Sequence, residues 1–333
     1  MPSVAEPTTA VVIGENLVDL LVDGAGAVTA VPGGGPLNVA RTIARLGESA
    51  TFMSRVSSDA FGRVMRRVLD EDGVALAFDR PVDRPTALAV VDDASVAPRY
   101  AFHLRDTAAF GIAGDEGVGA IRSLRGVGAL YVGTLGLVVD PMASMVEEVV
   151  AAVDPSALVV LDPNCRPSAT ADPSAYRDRV RRLLARSDIV KVSTEDLDFL
   201  LPGLGRRDQV TQLLDGGAAV VVVTDGPDPV RAFGRDGEAT VAVPARPVVD
   251  TVGAGDALVG GLMAWCAARR LPREEARRLA VVAEGLALAV EVAAITCSRA
   301  GADPPRSAEL DAAGVRWTRR APRGRGDREP GRR

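Results

Sequence analysis

The stretch Asp250–Asp256, which reads Asp-Thr-Val-Gly-Ala-Gly-Asp, decides how the rest of this chain is interpreted. It leads directly into the apolar run Ala257–Trp265, which predicts a buried helix. Gly253 and Gly255 permit backbone conformations that are closed to residues with a Cβ, and they let a ligand come close. The free N–H groups in the first turn of such a helix favour an anion in front of them. The stretch therefore predicts an anion-binding turn with a carboxylate, Asp256, beside it.

The composition of this turn predicts a site for phosphoryl transfer. The backbone amides of Gly253, Ala254 and Gly255 can hold the phosphoryl group and act as an anion hole. Asp256 can take a proton from the attacking nucleophile, as a catalytic base. A simpler interpretation is that Asp250 or Asp256 only caps the helix.

Two motifs at opposite ends of the chain give a family resemblance. The run Asp250–Asp256 resembles the C-terminal signature of the PfkB, or ribokinase-like, carbohydrate kinases. The segment Pro32–Ala40, with Gly33, Gly34 and Asn38, resembles the N-terminal signature GGxxxN of the same family. The resemblance covers about residues 10–305. It implies an α/β fold, namely a ribokinase-like three-layer α/β/α sandwich with a mostly parallel central sheet and a small β-sheet lid.

Hydrophobic patterning independently predicts an α/β chain. Short apolar runs alternate with amphipathic segments, which is typical of a parallel sheet covered by helices on both faces. The predicted strands span 10–14, 49–56, 128–132, 157–161, 188–192 and 218–224, and the predicted helices span 59–72, 142–153, 174–185, 194–201 and 279–296. We expect a single kinase domain over residues 1–315, with a lid formed by about 16–33 and 75–110. Residues 316–333 are rich in Arg, Gly and Pro, which predicts a disordered basic tail.

The composition excludes several other classes of protein. The chain has 333 residues and a net charge of −5, which argues against nucleic acid as its main partner. The chain has one histidine, His103, so Ser-His-Asp or Cys-His catalysis would have to use that residue. Its one lysine, Lys191, stands in Val-Lys-Val, so the Gly-Lys-Ser/Thr motif of a P-loop is absent. Three cysteines without CxxC spacing fit a reducing cytoplasm. The apolar segment 279–296 carries Glu284 and Glu291 on one face, which favours a core helix over a membrane span.

Polar residues at the ends of the predicted strands identify the substrate side of the site. Asp19 follows the first strand, at the edge where open α/β sheets bind their ligands. Asn38 can both donate and accept hydrogen bonds, as a polyol requires. The resemblance adds residues from the lid and from the Asp-Pro-Asn-Cys-Arg segment after the fourth strand. The complete expected sugar-binding set is Asp19, Gly33, Gly34, Asn38, His103, Arg105 and Arg166.

The resemblance also implies sites for ATP and for cations. Ser193 and Asp196 occupy the place of the family's NxxE motif, which organises Mg²⁺ and its waters, and Glu195 lies beside them. Asp250 is the expected contact of a monovalent cation, K⁺. The expected ATP-binding residues are Asn164, Ser193, Thr224, Gly226, Gly253, Gly255 and Cys297.

The acceptor implied by these motifs is a sugar. The segments 14–20, 33–38, 162–166 and 100–109 together favour a fructokinase-like enzyme, although His103 and Ala109 depart from the family's usual lid residues. Related 2-keto-3-deoxygluconate kinases, ribokinases and nucleoside kinases remain open. So does a protein that binds a nucleotide or sugar and has lost catalysis, because Asp196 and Pro229 depart from the family motifs. The implied partners are the sugar and ATP, without a membrane, and with a homodimer through the lid.

Overall fold

The computed structural model describes residues 8–92 and 99–315. The expected basic tail, 316–333, lies outside these residues, as does the part of the expected lid at 93–98. The strands in chain order are β1 (Thr9–Ile13), β2 (Leu17–Val22), β3 (Val28–Gly33), β4 (Ala50–Met53), β5 (Ala75–Leu76), β6 (Ala87–Asp92), β7 (Arg99–His103), β8 (Val127–Gly133), β9 (Leu158–Asp162), β10 (Ile189–Ser193), β11 (Val220–Thr224), β12 (Val230–Gly234) and β13 (Gly237–Val241).

The helices connect these strands and cover the sheet. In chain order they are α1 (Gly35–Arg45), α2 (Ala60–Asp72), α3 (Gly114–Ser123), α4 (Met142–Ala152), α5 (Pro173–Leu184), α6 (Thr194–Leu200), α7 (Arg206–Asp215), α8 (Ala254–Ala268), α9 (Arg273–Ala276), α10 (Leu279–Cys297) and α11 (Ser307–Ala312). The sequence patterns above do not predict α3 or α7. Both are short helices with few apolar positions, so their periodic signal is weak.

Nine strands form one mostly parallel sheet in the order β13-β12-β11-β10-β9-β8-β1-β4-β5. Strands β12 and β13 are the exception, because β12 runs antiparallel to both β11 and β13. The central strands are apolar along their whole length, as in the run Val220–Val223, and they are buried on both faces. Parallel strands need this composition because helices cover both sides.

Two hydrophobic clusters pack the helices onto the two faces of the central sheet. Apolar residues of α1, α2, α8 and α10 fill one face of the sheet, and those of α3 to α7 fill the other. The predicted three-layer α/β/α architecture is therefore confirmed. Helix α10 is long and apolar enough to cross a membrane by length and composition, but Leu286, Ala289 and Val292 are fully buried in the core beside α8. Helix α10 is the predicted core helix.

A separate four-stranded sheet in the order β3-β2-β6-β7 forms the lid. Strand β2 pairs parallel with β6 and antiparallel with β3, and β6 pairs antiparallel with β7. Strand β5 instead pairs with β4 at the edge of the central sheet, so the second lid segment contributes its strands only from Ala87 onward. Because β2 follows β1 after three residues, the lid is attached at the carboxyl end of the central strands.

Candidate active site

The carboxyl ends of the central strands, the N-terminus of α8 and the lid enclose a cavity of about 380 Å³. This volume falls within the range that small-molecule sites occupy. Most of the predicted site residues line it. They are Asp19, Gly34, Asn38, Asn164, Arg166, Ser193, Thr224, Gly253, Ala254, Gly255 and Asp256.

The turn before α8 has the geometry that its glycines predict. Gly253 has a φ of 78° and precedes the first helical residue, Ala254. A Cβ on Gly253 would lie 2.5 Å from Cβ of Ala302, so conformation and space both require glycine. The Ala254 amide donates to the Thr251 carbonyl at 3.2 Å. Because that hydrogen bond uses the Ala254 amide, an incoming anion meets chiefly the amides on either side of it.

Asp256 lies in the first turn of α8, where it is only 6% exposed. Its Oδ2 accepts a hydrogen bond from Nδ2 of Asn38 at 2.9 Å, which fixes the orientation of the carboxylate. Oδ1 of Asn38 is buried and has no hydrogen-bond partner among the described residues. A buried amide oxygen without a partner costs free energy, so this oxygen is a ready acceptor for a ligand hydroxyl. Asp256 and Asn38 thus form one hydrogen-bonded unit in the wall of the cavity.

Asp19 on β2 faces this unit across the cavity. Its Oδ2 would lie 2.1 Å from a Cβ on Gly33, so Gly33 leaves room for the carboxylate. Burial, together with the nearby charge of Asp256, raises the pKa of Asp19 to about 6, and Arg166 opposes the shift. Gly34 at the start of α1 has a φ of 114°, and its Cβ would lie 2.7 Å from the Glu15 carbonyl. The two glycines bring the chain close enough for Asp19 and Asn38 to contact one ligand.

The segment after β9 brings a cation and an amide to the cavity. Asn164 takes a left-handed conformation with a φ of 40°, which asparagine tolerates better than most residues. Nη1 of Arg166 donates to Oδ1 of Asn164 at 2.5 Å and to its carbonyl at 3.1 Å. These contacts keep the guanidinium within its own loop, at the wall of the cavity. Arg166 is one of the cations available there for an anionic or hydroxyl-rich ligand.

The motif expected to organise Mg²⁺ has a structural role in this chain. Ser193 caps α6, and Oδ2 of Asp196 accepts from the Ser193 amide at 2.8 Å. Oδ1 of Asp196 accepts from the Cys165 amide at 2.6 Å, and Asp196 does not line the cavity. Across residues 8–92 and 99–315, no group of three or more His, Cys, Asp or Glu side chains could hold a metal ion. Glu195 is exposed, and one of its oxygens lies 3.3 Å from Thr194 Oγ1, so its carboxylate faces solvent.

The expected monovalent-cation residue is held by a loop from the end of the chain. Oδ2 of Asp250 accepts from the Gly301 amide at 2.8 Å, and Oδ1 accepts from the Val252 amide at 3.0 Å. The carbonyl of Cys297 accepts from the amides of Val249 and Asp250. Cys297 and Gly226 are among the expected ATP-binding residues, and neither lines the cavity. These contacts place the loop 297–302 directly against the anion-binding turn.

The two predicted lid contacts, His103 and Arg105, lie elsewhere. Both are exposed and line a separate cleft of about 1050 Å³, between the lid and the segments around 137–141 and 168–179. Lid residues Tyr100 and Phe102, with stacked rings, line the cavity that contains Asp256, and Phe102 also borders the separate cleft. Side chains alternate along a strand, so Phe102 and His103 point to opposite faces of β7. The assignment of His103 and Arg105 to the sugar site is not supported by the geometry of this structure.

Sequence analysis missed several polar residues that border the cavity. Lys191 is buried beneath the anion-binding turn, where its Nζ would lie 2.9 Å from a Cβ on Gly255. Burial alone would lower the pKa of Lys191, but Asp162, Asp196 and Asp256 around it raise it above its ordinary value. The lysine therefore supplies positive charge at the site. Its signal in the sequence was that the chain's one lysine stands inside an apolar strand.

Glu15 and Thr134 are also in the cavity wall and were not predicted. Glu15 is 2% exposed, and both of its carboxylate oxygens lie 2.6 Å from Oγ1 of Thr134. Burial raises the pKa of Glu15 to about 7, against the opposing effect of its hydrogen bonds. A charged residue directly after a buried strand was the available signal.

Comparison with known proteins assigns the family. A model of the pfkB family carbohydrate kinases matches residues 8–309. A fructokinase from Klebsiella pneumoniae is 35% identical over 302 residues, covering 87% of this chain and 94% of that protein. Among solved structures, a fructokinase with bound ATP from Xylella fastidiosa superimposes with a TM-score of 0.81 at 26% identity, covering 93% of this chain and 100% of the other.

A second set of solved structures carries further ligands. A fructokinase from Vibrio cholerae O395 with fructose, ADP and calcium has a TM-score of 0.79 at 29% identity, covering 92% of this chain and 98% of that one. A double-mutant form of it, with fructose, ADP and potassium, has a TM-score of 0.80 at 28% identity, covering 93% and 99%. The family match and these similarities extend over nearly the whole described chain. The chain therefore belongs to the pfkB family of carbohydrate kinases.

Proposed function

We propose that this chain is an ATP-dependent fructokinase, which transfers the γ-phosphoryl group of ATP to a hydroxyl group of fructose. The observation that carries the proposal is the pairing of Asp256 with Asn38 at the N-terminus of α8, inside a cavity of sugar size. The similarity to fructokinases supports fructose as the acceptor.

Asp256 acts as the base in this proposal. Its Oδ2 is held by Asn38, so Oδ1 is the oxygen that accepts the proton of the sugar hydroxyl. The sugar oxygen forms a bond to the γ-phosphorus as the bond from that phosphorus to the bridging oxygen of ADP breaks. The helix N-terminus favours the ionised carboxylate, so proton transfer comes late and the work of Asp256 is mainly positional.

The sugar is held by groups that match its hydroxyls. Asp19 accepts hydrogen bonds, Oδ1 of Asn38 accepts another, and the glycines at 33 and 34 let the ring come close. Asp19 must be ionised to accept from two hydroxyls, so sugar affinity depends on its raised pKa. The lid over the cavity excludes water, which suppresses hydrolysis of ATP.

The nucleotide is held on the opposite side of Asp256. The amides of Gly253 and Gly255 face the transferring phosphoryl group, and Ser193, Thr224 and Asn164 line the same side. Mg²⁺ bound to the phosphates would neutralise their charge, and the exposed carboxylate of Glu195 would hold its water ligands. The carboxylate of Asp250 and the carbonyls near Cys297 are oxygen donors that suit K⁺. A homodimer through the edge strands β3 and β7 of the lid is part of the same proposal.

The test is ADP release from Mg-ATP with a panel of acceptors, namely fructose, ribose, 2-keto-3-deoxygluconate and adenosine, each with and without K⁺. We expect fructose to give the largest kcat/KM. A stronger response to another acceptor would reassign the substrate within the family. If ATP binds but no acceptor on the panel is phosphorylated, the fructokinase proposal is wrong, and a chain that has lost catalysis becomes the better interpretation.

A further inference from the structure

The wall of the sugar cavity contains a strained turn that is held by a buried carboxylate. Thr134 has a φ of 56°, which is a rare conformation for a β-branched residue. It begins the turn Thr134–Leu137 at the end of β8, and Thr134 lines the cavity. Such strain persists only where the surroundings fix it, and it concentrates at functional sites.

Glu15 is the group that fixes this turn. Its oxygens lie 2.6 Å from Oγ1 of Thr134, and Oε2 also accepts from the Gly136 amide at 3.0 Å. Every one of these partners belongs to the turn, so the carboxylate bridges the end of β1 to the end of β8. The turn in this form places Thr134 beside Asp256. A Cβ on Gly35 would lie 2.8 Å from Cγ2 of Thr134 and 3.1 Å from Oδ1 of Asp256.

The protonation state of Glu15 decides what the Thr134 hydroxyl can do. An ionised carboxylate only accepts, so the hydroxyl must donate to it and presents its lone pairs to other groups. A protonated carboxyl donates to Oγ1 and still accepts from Gly136, so the Thr134 hydrogen is released towards the cavity. The hydroxyl therefore changes from an acceptor to a donor when Glu15 gains a proton.

We propose that Glu15 is a positioning residue for the sugar, which holds the Thr134 turn and sets Thr134 as a hydrogen-bond acceptor for an acceptor hydroxyl. This inference rests on the proposed function, because it concerns the sugar side of the same site. The raised pKa of Glu15, about 7, means that the change of state falls near neutral pH.

Other titratable groups around Glu15 have to be separated from it. Arg166 faces Glu15 from the segment after β9 and lowers its pKa. The charge of Glu15 in turn helps to raise the pKa of Tyr131 on β8. Asp19 and Asp256 line the same cavity. The pKa of Asp19 is itself raised to about 6, so kcat/KM for fructose should fall a second time, at a more acidic pH than the fall caused by Glu15.

The experiment compares the pH dependence of kcat/KM for fructose in wild type, Glu15→Gln and Thr134→Val at saturating Mg-ATP. The wild-type enzyme should lose sugar efficiency as the pH falls through about 7 and again through about 6. In Glu15→Gln the amide donates to Oγ1, as the protonated acid does. The kcat/KM of this variant for fructose should equal that of wild type at pH 6 and be about 3- to 10-fold lower at pH 8. This loss is the effect expected when one neutral hydrogen bond is removed.

Thr134→Val removes the hydroxyl without changing the shape, so it should also lack the limb near pH 7. KM for ATP should stay within about twofold of wild type in both variants. The pair should be non-additive, since both remove the same contact. Thr134→Ser keeps the hydroxyl and should restore the limb.

The outcomes separate the two proposals. A wild-type enzyme that shows no fructose-dependent ADP release overturns the proposed function. An active wild type whose limb near pH 7 survives in Glu15→Gln, or an equally efficient Thr134→Val at pH 8, overturns the role of Glu15. If Glu15→Gln does not fold, Thr134→Val decides the question by itself.

Discussion

Replacing Asp256 with Asn is the sharpest test of the proposed mechanism. Oδ2 of Asp256 accepts from Asn38 at 2.9 Å, so in the variant the new amide must turn its oxygen towards Asn38. Its NH₂ group then faces the sugar, where a donor meets the donating hydroxyl. The site keeps its shape but has no acceptor for the proton. Loss of a general base costs about 10² to 10⁴ in rate, and the opposed donors add to this loss.

We expect kcat for Asp256→Asn to fall at least about 10³-fold, which corresponds to about 4 kcal/mol of activation free energy. The assay is coupled ADP release with fructose, and ATP binding is measured by calorimetry. ATP affinity should change by less than about 0.5 kcal/mol, because the Gly253 turn remains. Asp208→Asn is the matched control, since Asp208 is also the third residue of a helix, α7, but is exposed. A variant that kept more than a tenth of wild-type kcat would refute the assignment.

Three further predictions follow from the same contacts. Asp19→Asn should raise KM for fructose about tenfold at pH 8, and it should remove the fall of kcat/KM near pH 6. The pKa of Asp19 is raised to about 6, so below that pH the carboxyl is protonated and accepts fewer hydrogen bonds. Gly253→Ala should lower kcat at least tenfold and destabilise the fold by about 2 kcal/mol, since a φ of 78° disfavours alanine and its Cβ would meet Ala302 at 2.5 Å. Asp72→Asn should lower the free energy of unfolding, measured in urea, by about 3 to 5 kcal/mol. Asp72 is buried and pairs at 2.8 Å with Arg41, Arg45 and Arg306, which link α1 and α2 to the C-terminal loop.

Two of these predictions have a matched control in the chain. Gly73→Ala introduces alanine at a φ of 77° with open space around the new Cβ, so it should cost stability but leave kcat unchanged. Asp70→Asn changes an exposed carboxylate of the same helix as Asp72 and should alter stability by less than about 0.5 kcal/mol. An Asp19→Asn enzyme with the wild-type pH profile, or an Asp72→Asn protein as stable as Asp70→Asn, would contradict the corresponding argument.

Much of the architecture could be predicted from local patterns. The strands from Val127 to Thr224 were found because buried parallel strands are apolar along their length, and helix α2 because its apolar positions recur. Helices α3 and α7 were not found, since a mostly polar helix has no strong periodicity. Strand β5 was placed with the lid, although it pairs with β4, because two residues carry no information about their partner.

Some residues of the candidate site could be predicted from the sequence, and others could not. Asp256 and the glycines before it line the cavity, and they were predicted because a glycine-rich turn that opens into a helix has a local sequence signature. Asp19, Asn38 and Arg166 were found through strand ends and family motifs. His103 and Arg105 line a different cleft from Asp256, because the sequence shows that a strand such as β7 alternates but does not show which face meets which cavity.

The sequence by itself determined the fold class, the anion-binding turn and the family, because each depends on residues that are close together in the chain. Only the tertiary structure decided which distant groups share one cavity. Lys191 lies beneath Gly255, Asn38 holds Asp256 across 218 residues, and Glu15 holds the turn at Thr134 across 119. These contacts depend on strand order and on the packing of α1 against α8, and no spacing along the chain encodes either. For the same reason only the structure shows that both oxygens of Asp196 accept backbone hydrogen bonds, from Cys165 and from Ser193.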